Sequence, residues 1–406
     1  MKAIRFHYRP ASYLLTRFAG RRARQVALSP LGAVRLDDVP EPPLPGPDWV
    51  RVRTTLSGIC GSDLSALTAH DSFTLEPFGA FPFTFGHENI GVVAERGDAV
   101  DPGWRVGRRV VVNPMLACAQ RGLTPPCPAC ARGDYGLCRR TGEGTPGRGP
   151  MIGFSPGAGG GWAGSFLAHA SQLHGADGIE DEVAVLADPF ASALRGVLLQ
   201  PPAEGDVVLV IGAGTIGLLA VRALRATGWD GDVTVLARYP FQRELAEAGG
   251  ATRVFTRRAE LLHWAGSLPH ARAFKPTLAP GFVEGGPSLV YDTVGTESSL
   301  GDALALTREA GRIVLIGAAA RARVDFTRLW YRQLSLFGIF AYGRAPFRGE
   351  SRDIYAAALE LLRGGAVAGL PLVTHGFGLE EYREAIATAL DKGGRRSVKV
   401  AFRPGG

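Results

Sequence analysis

The chain has 406 residues, a formal net charge of +7 and 46% hydrophobic residues, so it is long enough for two domains with sizeable cores. Its basic residues are scattered, without the long Lys/Arg runs or repeated stacking aromatics of a nucleic-acid-binding surface. No apolar run approaches the roughly 20 residues of a membrane span and the first residues do not lead into a secretory signal, so we expect a cytoplasmic protein without nucleic-acid or membrane partners.

The first half of the sequence indicates short β-strands separated by Gly/Pro turns. Val- and Ile-rich segments at 33–36, 50–54, 90–94 and 110–112 have the composition of strands. Residues 8–30, rich in Arg and aromatics, fit no element and no assigned role. The pattern predicts a β-rich first domain.

Two groups of metal-ligand residue types lie in this half. Cys60 is followed by Ser62 and Asp63, and His87 and Glu88 come next along the chain. A thiolate and an imidazole suit zinc, and a catalytic zinc has three protein ligands and one open position. Asp188 is the candidate third ligand. Taken singly, Cys60 or His87 could equally be an ordinary buried residue.

The second group consists of four of the five cysteines: Cys118, Cys127, Cys130 and Cys138. They lie in a Gly/Pro-rich segment that has little core of its own. Four thiolates around zinc would hold such a segment together, and reduced thiolates fit the cytoplasm better than a disulfide framework does. The alternative is four free buried cysteines.

From about residue 188 the pattern changes to alternating strands and helices. An apolar run at 207–211 meets Gly212, Gly214 and Gly217 in G-x-G-x-x-G spacing, and a helix follows to about residue 226. The glycines allow a tight turn, close approach of a pyrophosphate and close helix packing. The backbone N–H groups at Thr215 and Ile216 would face the phosphates. We predict dinucleotide binding; the alternative is a purely structural turn.

Further strands are predicted at 233–236, 288–291, 312–316 and 334–340, with helices between them. This order implies a doubly wound parallel sheet. The tail contains a predicted helix at 354–362 and a strand at 397–402 that we expect to rejoin the first domain. Residues 263–287, broken by prolines and glycines, remain unassigned.

Together these motifs resemble the zinc-containing medium-chain dehydrogenase/reductase family, which includes alcohol, sorbitol and threonine dehydrogenases. The G-x-C-G-S-D, G-H-E, cysteine and glycine-turn elements occur in family order over nearly the whole chain. The resemblance implies an α/β fold: a GroES-like β-rich catalytic domain with an inserted Rossmann domain. The implied ranges are 1–189 with a structural zinc lobe at about 113–140, 190–342 for the Rossmann domain, and 343–406 for the return.

The family pattern also implies residue roles. Cys60, His87 and Asp188 match the catalytic zinc ligands, and Glu88 matches an acidic residue that can also reach the metal. Asp63 matches the carboxylate that orients the imidazole. Ser62 matches the hydroxyl that passes on the alcohol proton, and the four clustered cysteines match the structural zinc ligands.

Three positions depart from the family pattern. Asp188 replaces the more usual Cys or Glu, and the gap from Cys118 to Cys127 is longer than usual, which makes Cys118 the least secure ligand. Ser65 stands where some relatives have a relay histidine. We therefore expect the proton relay to end in water. The alternative is that His70 substitutes for the relay histidine, although we expect it to face solvent.

The cofactor prediction rests on the end of the second Rossmann strand. Ala237 occupies the position where NAD-binding units carry an acidic residue, and Arg238 and Arg243 are nearby cations. A guanidinium beside a small residue accommodates a 2′-phosphate, so we expect NADP(H) to be preferred over NAD(H). The alternative is that Arg238 faces solvent and NAD binds. The resemblance also assigns cofactor contacts to Thr293, Val294, Ile316, Gly317 and Arg396.

The predicted activity is hydride transfer between an alcohol, or a ketone or aldehyde, and NADP(H), with zinc polarising the substrate oxygen. The alternatives are a zinc-free enoyl or quinone reductase of the same superfamily and a non-catalytic NADPH-binding protein. The expected partner is a small-molecule alcohol or carbonyl compound. A homodimer or homotetramer is a family-level expectation, with a strand at 337–342 as the pairing element.

Overall fold

The computed structural model describes residues 1–7, 9–19 and 22–405. They form two compact units. The first contains Met1–Asp188 and the chain from Pro371 onward, and the second is Pro189–Leu370. The first boundary lies one residue earlier than predicted, whereas the return to the first unit comes at 371, not at the predicted 343.

The N-terminal part of the first unit is β-rich, as its Val- and Thr-rich segments predict. Its strands are β1 Lys2–Phe6, β2 Val34–Asp38, β3 Trp49–Gly58, β4 Phe83–Thr84, β5 Asn89–Arg96, β6 Arg109–Val112, β7 Ser165–His169 and β8 Leu173–Gly175. Its helices are α1 Pro10–Phe18, α2 Ala23–Leu28, α3 Gly61–Leu67, α4 Pro128–Ala131 and α5 Asp181–Ala184. Strand β3 pairs antiparallel with both β5 and β7, so it lies at the centre of the larger sheet.

Residues 8–30, which fit no predicted element, form α1 and α2; Tyr8, Gly20 and Arg21 lie outside the described residues. Arg17 anchors α1 to the rest of the unit. Its guanidinium donates to the carbonyls of Ala69, at 2.7 Å, and Asp71, at 3.2 Å, and lies 4.4 Å from the Phe73 ring centroid. Helix α1 therefore packs against the segment that follows α3.

The second unit is a doubly wound α/β structure. Its strands are β9 Val208–Ile211, β10 Val233–Leu236, β11 Arg253–Phe255, β12 Arg272–Phe274, β13 Phe282–Glu284, β14 Leu289–Asp292, β15 Arg312–Leu315, β16 Ser335–Gly338, β17 Arg344–Phe347 and β18 Glu350–Asp353. Its helices are α7 Thr215–Ala226, α8 Pro240–Ala248, α9 Arg258–Gly266, α10 Glu297–Leu306, α11 Thr327–Tyr331 and α12 Ile354–Arg363, while α6 Ala187–Leu199 begins in the first unit.

Six strands of this unit form one sheet in the order β11-β10-β9-β14-β15-β16, all parallel. The order reverses direction between β9 and β14, which is the point where open α/β sheets bind ligands. Strands β9 and β14 are buried along their whole length, so β9 appears in the sequence as a continuous apolar run and β14 as an apolar run that ends at Asp292. The unassigned stretch at 263–287 contains the end of α9 and the antiparallel pair β12–β13.

Residues 343–370 belong to the second unit because their contacts are made there. Strands β17 and β18 form a hairpin, and Asp353 caps α12 by accepting from the Ala356 N–H at 3.0 Å. Beyond α12, the Ala366 carbonyl accepts a hydrogen bond from the Arg222 guanidinium on α7. The predicted boundary at 343 was wrong because a strand–helix pattern does not reveal which unit it packs on.

The chain then returns to the first unit through β19 Val373–Phe377, α13 Tyr382–Leu390, α14 Lys392–Arg395 and β20 Lys399–Phe402. Strand β20 pairs parallel with β19 and antiparallel with the end of β3, which confirms the predicted return of this strand. The ring of Phe402 lies 4.9 Å from that of the fully buried Trp162, in the core of the unit. The predicted fold class is confirmed. Over residues 1–7, 9–19 and 22–405, no helix is both long and apolar enough to cross a membrane.

Candidate active site and cysteine lobe

The first group of predicted ligands meets at the end of β3. Cys60 immediately precedes α3, and His87 and Glu88 connect β4 to β5. Strands β3 and β5 are paired, so these two stretches lie side by side. The ligand atoms of Cys60, His87 and Glu88 all lie within 4.8 Å of one another.

Asp63 lies behind this cluster, completely buried. One carboxylate oxygen accepts a hydrogen bond from the Cys60 N–H at 2.8 Å, and the other lies 3.3 Å from His87 Nδ1. This second contact is not a hydrogen bond, and both of its atoms are buried without a hydrogen-bond partner. Asp63 therefore approaches His87 from the Nδ1 side, which leaves Nε2 for a metal.

The charges around His87 favour a cation. Burial lowers the pKa of His87, but the negative charges of Asp63 and of the Cys60 thiolate raise it, and the net shift is well upward. Surroundings that favour an added proton on a buried imidazole also favour a metal ion there, provided the ligands are deprotonated. The residues present thus fit a zinc site of the thiolate–imidazole–carboxylate type.

The two candidate carboxylates differ from the prediction in their placement. Glu88 is in the cluster, but both of its oxygens also accept hydrogen bonds from Lys399 Nζ, at 2.6 and 2.5 Å. Asp188 is buried in the first turn of α6 and does not belong to the group within 4.8 Å. Its negative charge nevertheless acts on Lys399, whose pKa it helps to raise.

The predicted proton-relay residues lie on and after α3. Ser62 and Ser65 are half-buried on the helix, while His70 is exposed beyond it, as expected. His70 Nδ1 is hydrogen-bonded to Thr68 Oγ1 at 2.9 Å, so one of the two ring nitrogens already has a partner.

The four remaining cysteines form a second cluster. Their sulfurs lie within 4.8 Å of one another, and Cys118 Sγ is 3.7 Å from Cys138 Sγ. Four sulfurs bound about 2.3 Å from a zinc at tetrahedral corners would lie about 3.8 Å apart, whereas a disulfide brings two sulfurs to about 2.05 Å. All five cysteines are free thiols. The sulfur geometry fits a tetrathiolate metal site that includes Cys118.

Backbone donors favour the thiolate of Cys127, whereas burial raises the pKa of Cys130 and of Cys138. Burial raises the pKa of Cys127, but N–H groups of Arg139 and Cys130 and neighbouring thiols lower it, to about 6. The Cys118 sulfur accepts from the Cys127 N–H at 3.3 Å. Since thiolates are the metal-binding form, this arrangement suits zinc.

In the second unit the three glycines have the geometry that their motif predicts. Gly212 has φ +100°, which side-chain-bearing residues rarely adopt, and Gly214 caps the start of α7. A Cβ at Gly217 would lie 1.9 Å from the Gly212 carbonyl oxygen, so α7 packs directly on the turn. Thr215 and Ile216 are the first two residues of α7, where free N–H groups can face an anion.

The residues predicted to select the cofactor follow β10. Ala237 is buried, and its N–H donates to the Phe255 carbonyl at 2.8 Å. Arg238 is exposed, with its guanidinium 5.6 Å from the Tyr239 ring centroid, and Arg243 is half-buried on α8. No carboxylate occupies the position of Ala237 itself.

The predicted nicotinamide-side residues meet at the carboxyl ends of β14 and β15. Asp292 organises this edge: its carboxylate accepts from the N–H groups of Val294 and Gly295, and its carbonyl from those of Ile316 and Gly317. Thr293 Oγ1 donates to the Ile211 carbonyl at 2.8 Å, which ties this edge to the glycine turn. Arg396 lies in the first unit, exposed, with φ +51°.

Sequence reasoning missed Lys399, which contacts the candidate metal cluster from β20. One signal was present in the sequence, a single lysine within the apolar stretch Val398–Phe402. A charged residue in a run that will be buried requires a charged partner.

Comparisons with known proteins agree with the fold and with the family resemblance. Residues 46–177 match the family model of the alcohol dehydrogenase GroES-like domain, and residues 215–362 match that of the zinc-binding dehydrogenases. The chain is 26% identical over 369 residues to a sorbitol dehydrogenase of Bacillus subtilis, covering 88% of this chain and 90% of that one. It is 30% identical over 277 residues to L-galactonate-5-dehydrogenase of Escherichia coli, covering 68% and 71%.

Solved structures show the same architecture. The crystal structure of 2R,3R-butanediol dehydrogenase from Bacillus subtilis superposes with a TM-score of 0.70 at 25% identity, covering 99% of each chain. A zinc-binding dehydrogenase structure from Sinorhizobium meliloti 1021, bound to NADP, gives a TM-score of 0.70 at 26% identity, covering 91% of this chain and 95% of that one.

The two-unit fold and the matched domains define a zinc-type dehydrogenase. The chain belongs to the zinc-containing medium-chain dehydrogenase/reductase family. It is an oxidoreductase of the class that acts on CH–OH groups.

Proposed function

We propose that the protein is a zinc-dependent alcohol dehydrogenase that transfers a hydride between an alcohol and NADP(H), or reduces the carbonyl compound in reverse. The observation that carries the proposal is the close approach of the Cys60 and His87 ligand atoms, with Asp63 behind the imidazole. A bound zinc would act there as a Lewis acid on the substrate oxygen, and the nicotinamide would carry the hydride.

Each residue of the site has a distinct role in this proposal. Cys60, His87 and Asp188 hold zinc, and Asp63 keeps the imidazole oriented. Ser62, half-buried on α3, takes the hydroxyl proton during oxidation and passes it to water. The relatives named for sorbitol, L-galactonate and butanediol support a small hydroxylated substrate.

Zinc content tests the proposal. Elemental analysis of the wild-type protein should give about two zinc ions per chain, one in each site. Cys60→Ser should lower this to about one and abolish alcohol oxidation, whereas Cys127→Ser should remove the other zinc. About one zinc in both wild type and Cys60→Ser would leave only the cysteine lobe occupied and would contradict the alcohol dehydrogenase proposal in favour of a zinc-free reductase.

The preference for NADP(H) rests on the end of β10. Ala237 leaves no carboxylate to repel a 2′-phosphate, and the exposed Arg238 can pair with one. The relative from Sinorhizobium meliloti was solved with NADP bound. Ala237→Asp combined with Arg238→Ala should shift the ratio of kcat/KM values from NADP toward NAD. An unchanged ratio would contradict the assignment.

We further propose a homodimer or homotetramer that pairs through β16. This strand forms one end of the six-stranded sheet, and no strand of the described chain covers its outer edge. Leu336 on β16 and Phe340 beyond it are exposed apolar residues. Exposed strand edges are prone to pair with another chain. Light scattering after Leu336→Lys should show loss of the oligomer, and an unchanged mass would exclude this edge.

A further inference from the structure

The interaction between Glu88 and Lys399 joins residues 311 positions apart in the chain. The Lys399 ammonium donates to both Glu88 oxygens, at 2.6 and 2.5 Å, and also to the Ile59 carbonyl at 3.2 Å. The side chains are 3% and 0% exposed, so water does not compete for either charge. This is a buried, fully formed ion pair within the candidate metal cluster.

The Glu88 carboxylate is also confined on its other side. A Cβ at Gly58 would lie 1.9 Å from Glu88 Oε2, so only glycine leaves space for the carboxylate in this position. The backbone holds the same arrangement, because the Gly58 N–H donates to the Glu88 carbonyl at 2.9 Å and the Ile59 N–H donates to the Val400 carbonyl at 2.8 Å. Strand β20 therefore places Lys399 beside a carboxylate whose position is already fixed by the backbone around Gly58.

The charges of the site can be grouped by their nearest partners, although the Lys399 ammonium also attracts the Cys60 thiolate and the Asp188 carboxylate. A divalent metal bound by the Cys60 thiolate, a neutral His87 and the Asp188 carboxylate would be neutral overall. The Glu88–Lys399 pair is neutral as well. Without the ammonium, Glu88 would be an unpaired charge in a buried position, a state that costs several kcal/mol. A metal held by Cys60 and His87 would then be the cation closest to its carboxylate.

We infer that Lys399 is a positioning residue that keeps the Glu88 carboxylate off the metal and so leaves Asp188 as the third protein ligand. The inference rests on the proposed zinc site and adds to it a function for the last strand. It also assigns different roles to Glu88 and Asp188, which were both candidate metal ligands from the sequence.

Cobalt substitution tests this assignment in the full-length protein, because the visible bands of Co²⁺ report its ligands. Cobalt is placed in the Cys60 site while zinc stays in the cysteine lobe. Glu88→Gln should leave the cobalt bands unchanged, since Glu88 is not a ligand. Lys399→Met should shift them and slow metal loss to a chelator by about 10-fold, a size typical of changes around the ligand shell.

Two further variants exclude a general structural effect. The Glu88→Gln/Lys399→Met double variant should regain the wild-type bands, because no carboxylate remains to be released. Lys392→Met is the matched control: Lys392 is a second lysine near Cys60 and Lys399, and its ammonium makes no hydrogen bond to Glu88. This control should keep the wild-type bands and the wild-type rate of metal loss.

The outcomes that contradict the inference are distinct from those that contradict the proposed function. Altered cobalt bands in Glu88→Gln, or unaltered bands in a folded Lys399→Met, would overturn the role of Lys399 alone. If Lys399→Met does not fold, Glu88→Gln still decides whether the carboxylate is a ligand. A wild-type protein that binds no metal at Cys60 would overturn the zinc site and the inference together.

Discussion

Arg121 is the residue on which we expect the cysteine lobe to depend most, apart from its cysteines. Its side chain is buried, at 3% exposure, and donates to four backbone carbonyls. The acceptors are those of Leu116 at 2.9 Å, Glu143 at 3.0 Å, Gly147 at 2.5 Å, and Gly149. The Leu116 carbonyl comes from the segment that enters the lobe, and the other three come from the segment that leaves it. One guanidinium therefore connects these two segments.

Arg121→Met removes all four donors while keeping the aliphatic part of the side chain. A hydrogen bond to a charged group contributes about 1.5–3 kcal/mol, but four bonds made by one side chain are not additive, and water can reach some of the released carbonyls. We expect a local loss of about 3–5 kcal/mol. Because the buried cluster around the sulfurs is small, with Cys118, Cys127 and Ala129 as its buried members, packing there replaces little of what these bonds contribute.

Two measurements check this expectation. Hydrogen exchange should accelerate by a factor of at least 100 in residues 113–149 while the sheet strands stay protected, and zinc should be released faster to a thiol reagent. Arg132→Met is the control in the same lobe. Its guanidinium is exposed and 3.7 Å from Asp134, so the change should cost less than about 1 kcal/mol. If Arg121→Met behaved like Arg132→Met, the reasoning from the buried carbonyls would be refuted.

Two other positions give expectations that different assays can check. Burial raises the pKa of Asp71 to about 6. A carboxyl with a raised pKa favours the folded state when it is protonated, and this contribution is lost as the pH rises through about 6. Above that pH the buried carboxylate destabilises the fold, so Asp71→Asn should stabilise the protein by about 1–3 kcal/mol at pH 7.5. At pH 5 the gain should be roughly half as large. Equal gains in melting temperature at both pH values would contradict this. Gly217→Ala should weaken NADP(H) binding in a fluorescence titration by more than about 10-fold, because its Cβ would meet the Gly212 carbonyl oxygen at 1.9 Å. Gly301→Ala on α10, where a Cβ would have open space, should bind the cofactor normally and gain up to about 1 kcal/mol of stability.

The sequence allowed the second unit to be predicted well because its signals are local. Apolar runs, the glycine turn and the alternation of strands and helices are all visible within windows of about 20 residues. The limits of the unit were less visible. Residues 344–363 have the same strand–helix pattern as the rest, and contacts between residues distant in the chain, such as that of Arg222 on α7 with Ala366, show where this segment belongs.

The part of the candidate site that lies in recognisable sequence motifs could be predicted. Cys60 and His87 could be paired from their spacing and residue types, and the structure brings their ligand atoms together with that of Glu88. The sequence could not show which of Glu88 and Asp188 would bind the metal, because both are acidic residues close to the other predicted ligands. What distinguishes them is Lys399, whose contact with Glu88 depends on the pairing of β20 with β3.

The pairing of β20 with β3 affects the chemistry of the site as well as the fold. The same strand closes the sheet beside β3 and supplies the ammonium that balances Glu88. Until β20 docks, Glu88 lacks its partner Lys399. Since uncompensated buried carboxylates are costly, docking of β20 and burial of Glu88 should occur together, so the last strand and the metal site should form as one cooperative unit.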